Sequence, residues 1–132
     1  MSVALFVVAE RKVKGLDTEV NGKALGRCEH LDRLARAAGV REFMEFFSED
    51  PTEASATAEE FGLETPPGGF PAEQWFPAEA GLVTVRGLLG HLAANPSAVS
   101  DAERIAEDLR EFESVLAALS AAGVRWHLAV DY

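Results

Sequence analysis

The sequence predicts an α+β fold, with the first and last segments of the chain adjacent in one small sheet packed with about five helices. Three observations predict it. Val3-Ala4-Leu5-Phe6-Val7-Val8-Ala9 is an unbroken apolar run. Arg125 to Tyr132 alternates in polarity to the last residue. Nearly everything between carries helical spacing or turn residues. Strands must pair to satisfy their backbone groups, and no other segment is as good a partner for either. Pairing of the termini makes residues 1–132 a single domain with a Pro/Gly-rich loop at 62–71.

The first strand, apolar on both faces, should be covered on both and lie more centrally than the second. The second shows Trp126, Leu128, Val130 and Tyr132 on one face, and Arg125, His127, Ala129 and Asp131 on the other, as a half-exposed strand does. Two strands are few for such burial. Either Lys12–Val20 supplies a third, or a second copy of the chain extends the sheet as a homodimer.

After the first strand, Gly15 and Asn21-Gly22 mark turns. Leu25, Cys28, Leu31, Ala35 and Ala38 then recur every three or four residues, which predicts one helix over Lys23–Ala38 closed by Gly39 and Val40. Phe43, Met44, Phe46 and Phe47 form a short apolar helical segment. Asp50-Pro51-Thr52-Glu53 opens an alanine-rich helix with a cap, a first-turn proline and a capping-box glutamate, and Gly62 ends it. Thr65-Pro66-Pro67-Gly68-Gly69 is the strongest break in the chain. Phe70-Pro71-Ala72-Glu73 recurs as Phe76-Pro77-Ala78-Glu79, too short to imply a repeat architecture. Leu82, Val85, Leu88, Leu89 and Leu92 make a further helix, where Gly87 and Gly90 call for close packing. Ser100-Asp101-Ala102-Glu103 reads as a capping box for the last and longest helix, near Asp101–Ala121. Its seam is Ile105, Leu109, Phe112, Leu116 and Leu119. The predicted core is Leu5, Val7, Leu25, Cys28, Leu31, Phe46, Leu89, Leu109, Phe112, Leu116, Leu128 and Val130.

Composition bounds the function. At 132 residues with 48% hydrophobic and 26% charged side chains, the chain is of globular type. The initial apolar run is too short to span a bilayer and lacks a basic flank, so a cytoplasmic, bacterial-type protein is expected. One cysteine excludes an internal disulfide. The net charge of −10 is unevenly placed. Eight Lys/Arg face seven Asp/Glu through Phe47; four Arg face fifteen Asp/Glu from Ser48 onward. Nucleic-acid binding is disfavoured, because phosphate contacts need a basic face. An acidic half can instead steer a basic protein partner.

The sequence holds no G-x-S-x-G elbow, phosphate loop or paired metal-ligating histidines, so no catalytic residue, cofactor or metal is assigned. Cys28 sits in an apolar stripe and reads as core. Lys14, Asp17, Thr18, Asn21 and Lys23 form the leading candidate ligand-binding set, for an anion, between a strand and a helix start; the competing reading is a plain connection. Glu10, His127 and Asp131 are an alternative set. The two carboxylates share one end of the sheet if the strands are parallel and are separated if antiparallel. Trp75 and Phe76 are either an anchor for a partner or a lid over the core.

The segments Gly15-Leu16-Asp17-Thr18 and Val20-Asn21-Gly22-Lys23-Ala24-Leu25, the Trp75-Phe76 pair and the ending Trp126–Asp131 resemble a family of small uncharacterised bacterial proteins of about this length. The resemblance implies a single compact unit and transfers no activity. The expected function is therefore action through protein contacts, regulatory or in the manner of an acidic immunity-type inhibitor. The alternative is a small-molecule (anion) binding protein or enzyme using the 14–23 loop.

Overall fold

In the computed structural model, which describes residues 3–131, the two terminal strands pair. Strand β1 (Ala4–Ala9) runs antiparallel to β2 (Trp126–Asp131), with Ala4 opposite Asp131 and Ala9 opposite Trp126. Between them lie α1 (Lys23–Arg27), α2 (Leu31–Ala38), a 3-10 helix (Phe43–Phe46), α3 (Pro51–Glu60), α4 (Ala78–Ala94) and α5 (Ala102–Ala122). This is the α+β arrangement expected. Tyr132 lies outside the described residues.

The more central strand is β2, not β1. On its edge away from β1, Trp126 exchanges two backbone hydrogen bonds with Phe76 (2.8 and 2.9 Å), and the Ser48 N–H donates to the Leu128 carbonyl (3.1 Å). Single residues of two connections thus do the work of a third strand. Lys12–Val20 forms no strand, although Val13, Leu16 and Val20 pack on the core. The outer edge of β1 is met at one point, where the Leu5 N–H donates to the Gly22 carbonyl (3.1 Å). Leu5 and Val7 are buried, while on the opposite face Val8 is half-buried and Phe6 stays 37% exposed, so the second face of β1 is covered only in part.

The helix expected over Lys23–Ala38 is two helices. The chain leaves α1 at Cys28, whose backbone is extended. The short α1 lies so close to β1 that a Cβ on Gly26 would fall 2.1 Å from the Val3 carbonyl oxygen, and α2 packs instead on α4. The break lets one apolar stripe serve two surfaces that no straight helix reaches.

The core is aromatic beside β2 and aliphatic between α4 and α5. The Trp126 ring stacks on Phe46 (5.3 Å), Phe43 meets Phe112 edge-on (5.3 Å), and Phe76 meets Phe46 edge-on (5.4 Å). The seam Ile105, Leu109, Phe112, Leu116 and Leu119 is buried as predicted. Of the predicted core, Cys28, Leu89 and Val130 are only half-buried. Gly87 is needed for packing, since a Cβ there would sit 2.4 Å from Val40 Cγ1; Gly81 answers to the Trp126 ring in the same way (2.5 Å). A Cβ on Gly90 would meet nothing within 4 Å, so close packing does not account for that glycine.

Two caps differ from expectation. Asp101 precedes α5 with left-handed backbone (φ 60°) and makes no side-chain cap, so the Ser100–Glu103 capping box does not form. A reciprocal Glu42–Glu45 box opens the 3-10 helix instead. Asp50 caps α3 by accepting from the Thr52 N–H (2.8 Å).

Candidate functional site

The antiparallel register separates Glu10 from Asp131, one at each end of the sheet. Glu10 is held by Arg125 in a two-pronged pair (2.8 and 2.6 Å), and the guanidinium lowers its carboxyl below the ordinary value. His127 is 2% exposed rather than solvated. Its Nε2 lies 2.7 Å from Glu73 Oε2, its Nδ1 3.1 Å from the Leu128 carbonyl oxygen, and its ring packs on Trp75 (4.8 Å). Both ring nitrogens thus face oxygens. Trp75 and Phe76 are both half-buried. The strap that carries them is tied to β2 by Phe76 and to Ser48, whose hydroxyl accepts from the Gln74 N–H (2.7 Å). His127 and Trp75 meet at this strap, while Glu10 and Asp131 are not brought together.

In the 14–23 loop, Lys14, Asp17, Asn21 and Lys23 are exposed and Thr18 is half-buried. Asp17 accepts from the Glu19 N–H (2.9 Å) and Asn21 from the Lys23 N–H (3.3 Å), as turn side chains do. The N–H groups that open α1 already have an anion. Asp108 Oδ2 accepts from Ala24 (2.9 Å) and Leu25 (3.2 Å), and Glu111 accepts from Asn21 (3.4 Å). An internal carboxylate from α5 thus stands where an external anion was expected.

Asp108 is the residue that sequence reasoning missed. It is only 4% exposed, and burial raises its carboxyl above the ordinary value against the opposing pull of the Leu25 and Ala24 N–H groups. The signal was present: Asp108 stands three residues after Ile105 and four before Phe112, inside the core seam of α5. A carboxylate at such a position implies a buried partner. It also lines a cleft of about 820 Å³ between the α1–α2 corner and the α4–α5 connection, with Lys23, Arg27, His30 and Arg104 around it. Cys28, half-buried on the same cleft, has its thiol pushed up by burial, which disfavours the thiolate a nucleophile needs. Among the described residues no group of three or more His, Cys, Asp or Glu could hold a metal ion, and no helix is long and apolar enough to cross a membrane.

The other feature of note is a surface. Three helices end in the same way. A glycine in left-handed conformation donates three residues back, and the next residue donates five back: Gly39-Val40 after α2, Gly62-Leu63 after α3 and Gly123-Val124 after α5. The apolar residue after such a glycine ordinarily folds onto its helix. Val124 is buried and Val40 half-buried. Leu63 is 64% exposed and Phe61 beside it 69%, the two most exposed of the large apolar side chains among the described residues.

No protein-family model, curated protein or solved structure matches this chain.

Proposed function

We propose that this protein acts through protein contacts and that the tip of α3 is its contact surface for a basic partner. The observation that supports this is Phe61 and Leu63 projecting into solvent within Glu59-Glu60-Phe61-Gly62-Leu63-Glu64. An apolar pair ringed by carboxylates suits a cationic surface with an apolar anchor, because the pair supplies burial and the charges steer approach. The surrounding sequence reinforces it. From Glu42 to Val85 there are ten Asp/Glu and neither Lys nor Arg. A regulatory or inhibitor-like role follows from such a surface. Two residues of the alternative site, Glu10 and His127, are engaged within the fold, as is Phe76 of the Trp75-Phe76 partner-contact candidate.

The test compares the wild type with Phe61→Ser/Leu63→Ser and with Glu59→Lys/Glu60→Lys in co-purification at 0.15 and 0.5 M salt. A partner of basic pI that is retained by the wild type, released at high salt and lost from both variants is the expected result. A partner retained equally by all three overturns the reading. A second copy of the chain is the competing occupant. Sedimentation would reveal it as a wild-type dimer that Phe61→Ser/Leu63→Ser converts to monomer.

A further inference from the structure

We propose that β1 is a docking edge for a second copy of this chain. Two copies pair their β1 strands antiparallel about a two-fold axis at Val8 and form one four-stranded sheet. The inference uses no residue of the α3 tip and stands apart from the reading given for that surface.

The backbone carries it. The Glu10 N–H donates to the Arg125 carbonyl (2.9 Å), which sets Glu10, Val8, Phe6 and Ala4 as the residues that exchange ladder bonds with β2. Leu5, Val7 and Ala9 therefore turn their N–H and C=O groups the other way, and the bond from the Leu5 N–H to the Gly22 carbonyl (3.1 Å) shows that direction. The sheet has two strands, so β1 is an edge, and among the described residues only Gly22 meets its outer side with a backbone bond. The two edges of the sheet are treated differently. Phe76 and Ser48 close the outer side of β2, whereas Ala4–Ala9 holds no charge, proline or glycine of the kind that blunts an edge. Beside the open edge runs a cleft of about 800 Å³ between Ala4–Val7 and Thr18–Lys23.

Register and charge select a second copy as the occupant. With the axis at Val8, Val7 of each copy faces Ala9 of the other, and the outward N–H and C=O groups of these residues satisfy one another. An axis at Val7 would instead bring Ala9 against Leu5, whose N–H Gly22 already holds. On the face away from the core, Val8 meets its own counterpart and the partly exposed Phe6 lies diagonal to it, so an apolar strip crosses the seam. The antiparallel arrangement also brings the end of one β1 to the start of the other. The end of β1 runs into Arg11 and Lys12, both exposed, while the cleft beside its start is lined by Glu19 and Asp131 against one lysine, Lys23. Opposite charges thus meet at each end of the seam. The strand also belongs to the near-neutral part of the chain through Phe47, where eight Lys/Arg balance seven Asp/Glu.

Sedimentation of the intact chain over about 5–500 μM, the range in which small interfaces associate, tests this together with amide exchange at the two ends of that range. The expected result is a reversible dimer. Exchange at Val7 and Ala9 should slow about tenfold at high concentration, and exchange at Phe6 and Val8, already bonded to β2, should change less. Ala9→Pro removes an outward N–H without touching a bond to β2, and Val8→Lys sets like charges across the axis. Each should give a folded monomer. Val8→Lys alters no backbone group and carries the comparison where Ala9→Pro does not fold. Lys12→Glu and Glu19→Lys should each weaken association about threefold, and the two together should recover most of it. The proposal is overturned by a dimer that Val8→Lys leaves intact, or by one that Phe61→Ser/Leu63→Ser disperses, which would place the second copy at the α3 tip. A chain monomeric throughout, with Val7 and Ala9 exchange independent of concentration, also overturns it and leaves the edge to a strand of another protein.

Discussion

Asp108 joins the sequence pattern, the local structure and the electrostatics most closely. It caps α1 from across the core, so Asp108→Ala should leave two N–H groups without an acceptor and cost about 1–3 kcal/mol in a urea titration. Asp108→Asn keeps an acceptor and should cost less. The two also separate by pH. Burial holds this carboxyl above its ordinary value of 3.8, so the folded chain binds the proton more tightly than the unfolded one. That contribution is present below the unfolded value and is lost as pH rises through the folded one. The stability of the wild type relative to Asp108→Asn should therefore decline from acid toward neutral pH. Glu10 runs the opposite way: its carboxyl is lowered by Arg125, so its contribution is present above its ordinary value and lost on acidification. A wild-type advantage over Asp108→Asn that grows with pH would contradict the raised carboxyl and show the Ala24 and Leu25 N–H groups outweighing burial. At the other buried polar contact, Glu73→Gln offers His127 Nε2 an amide N–H in place of a carboxylate oxygen. The strap over 73–76 should stay docked in the variant, and amide exchange at Phe76 reads this directly.

At the scale of elements, α4 supplies a graded test within one helix. Gly90 has open space where its Cβ would be, so Gly90→Ala should stabilise by about 0.5–1 kcal/mol, the ordinary gain of alanine over glycine in a helix. Gly87→Ala would push against Val40 and Gly81→Ala against the Trp126 ring; each should destabilise by about 1–3 kcal/mol. Thermal unfolding of the three variants would reject the packing described if all moved in the same direction. In α5, Leu109→Ala and Phe112→Ala should each cost about 2–5 kcal/mol. The α5 seam was legible because its apolar spacing is long and regular, and the two Ala-Gly-Val endings because glycine chemistry is local. The split of Lys23–Ala38 was not legible. Its apolar stripe continues across Cys28, and what divides it is the position of β1 and of Asp108, both distant in sequence. The capping box before α5 was misread for a related reason, since Asp101 takes a left-handed shape that its side chain does not announce.

For the whole molecule, pairing of the two terminal segments was legible, because neither had another partner. Strand direction was not, as both directions satisfy the same apolar pattern. Nor was the role of His127, which alternation alone assigns to solvent but which the Glu73–Trp75 strap covers. That strap stands 54 residues before His127 in the chain, beyond the reach of any periodicity. Among the described residues the most exposed large apolar side chains are Phe61 and Leu63 at the α3 tip, the pair proposed for partner contact. The claim that these two side chains serve a partner, and not the fold, is tested most directly by the unfolding free energy of Phe61→Ser/Leu63→Ser. The expected value lies within about 0.5 kcal/mol of the wild type, as for surface changes that touch no packed group. A loss of about 2 kcal/mol or more would show that the pair belongs to the core and would contradict it.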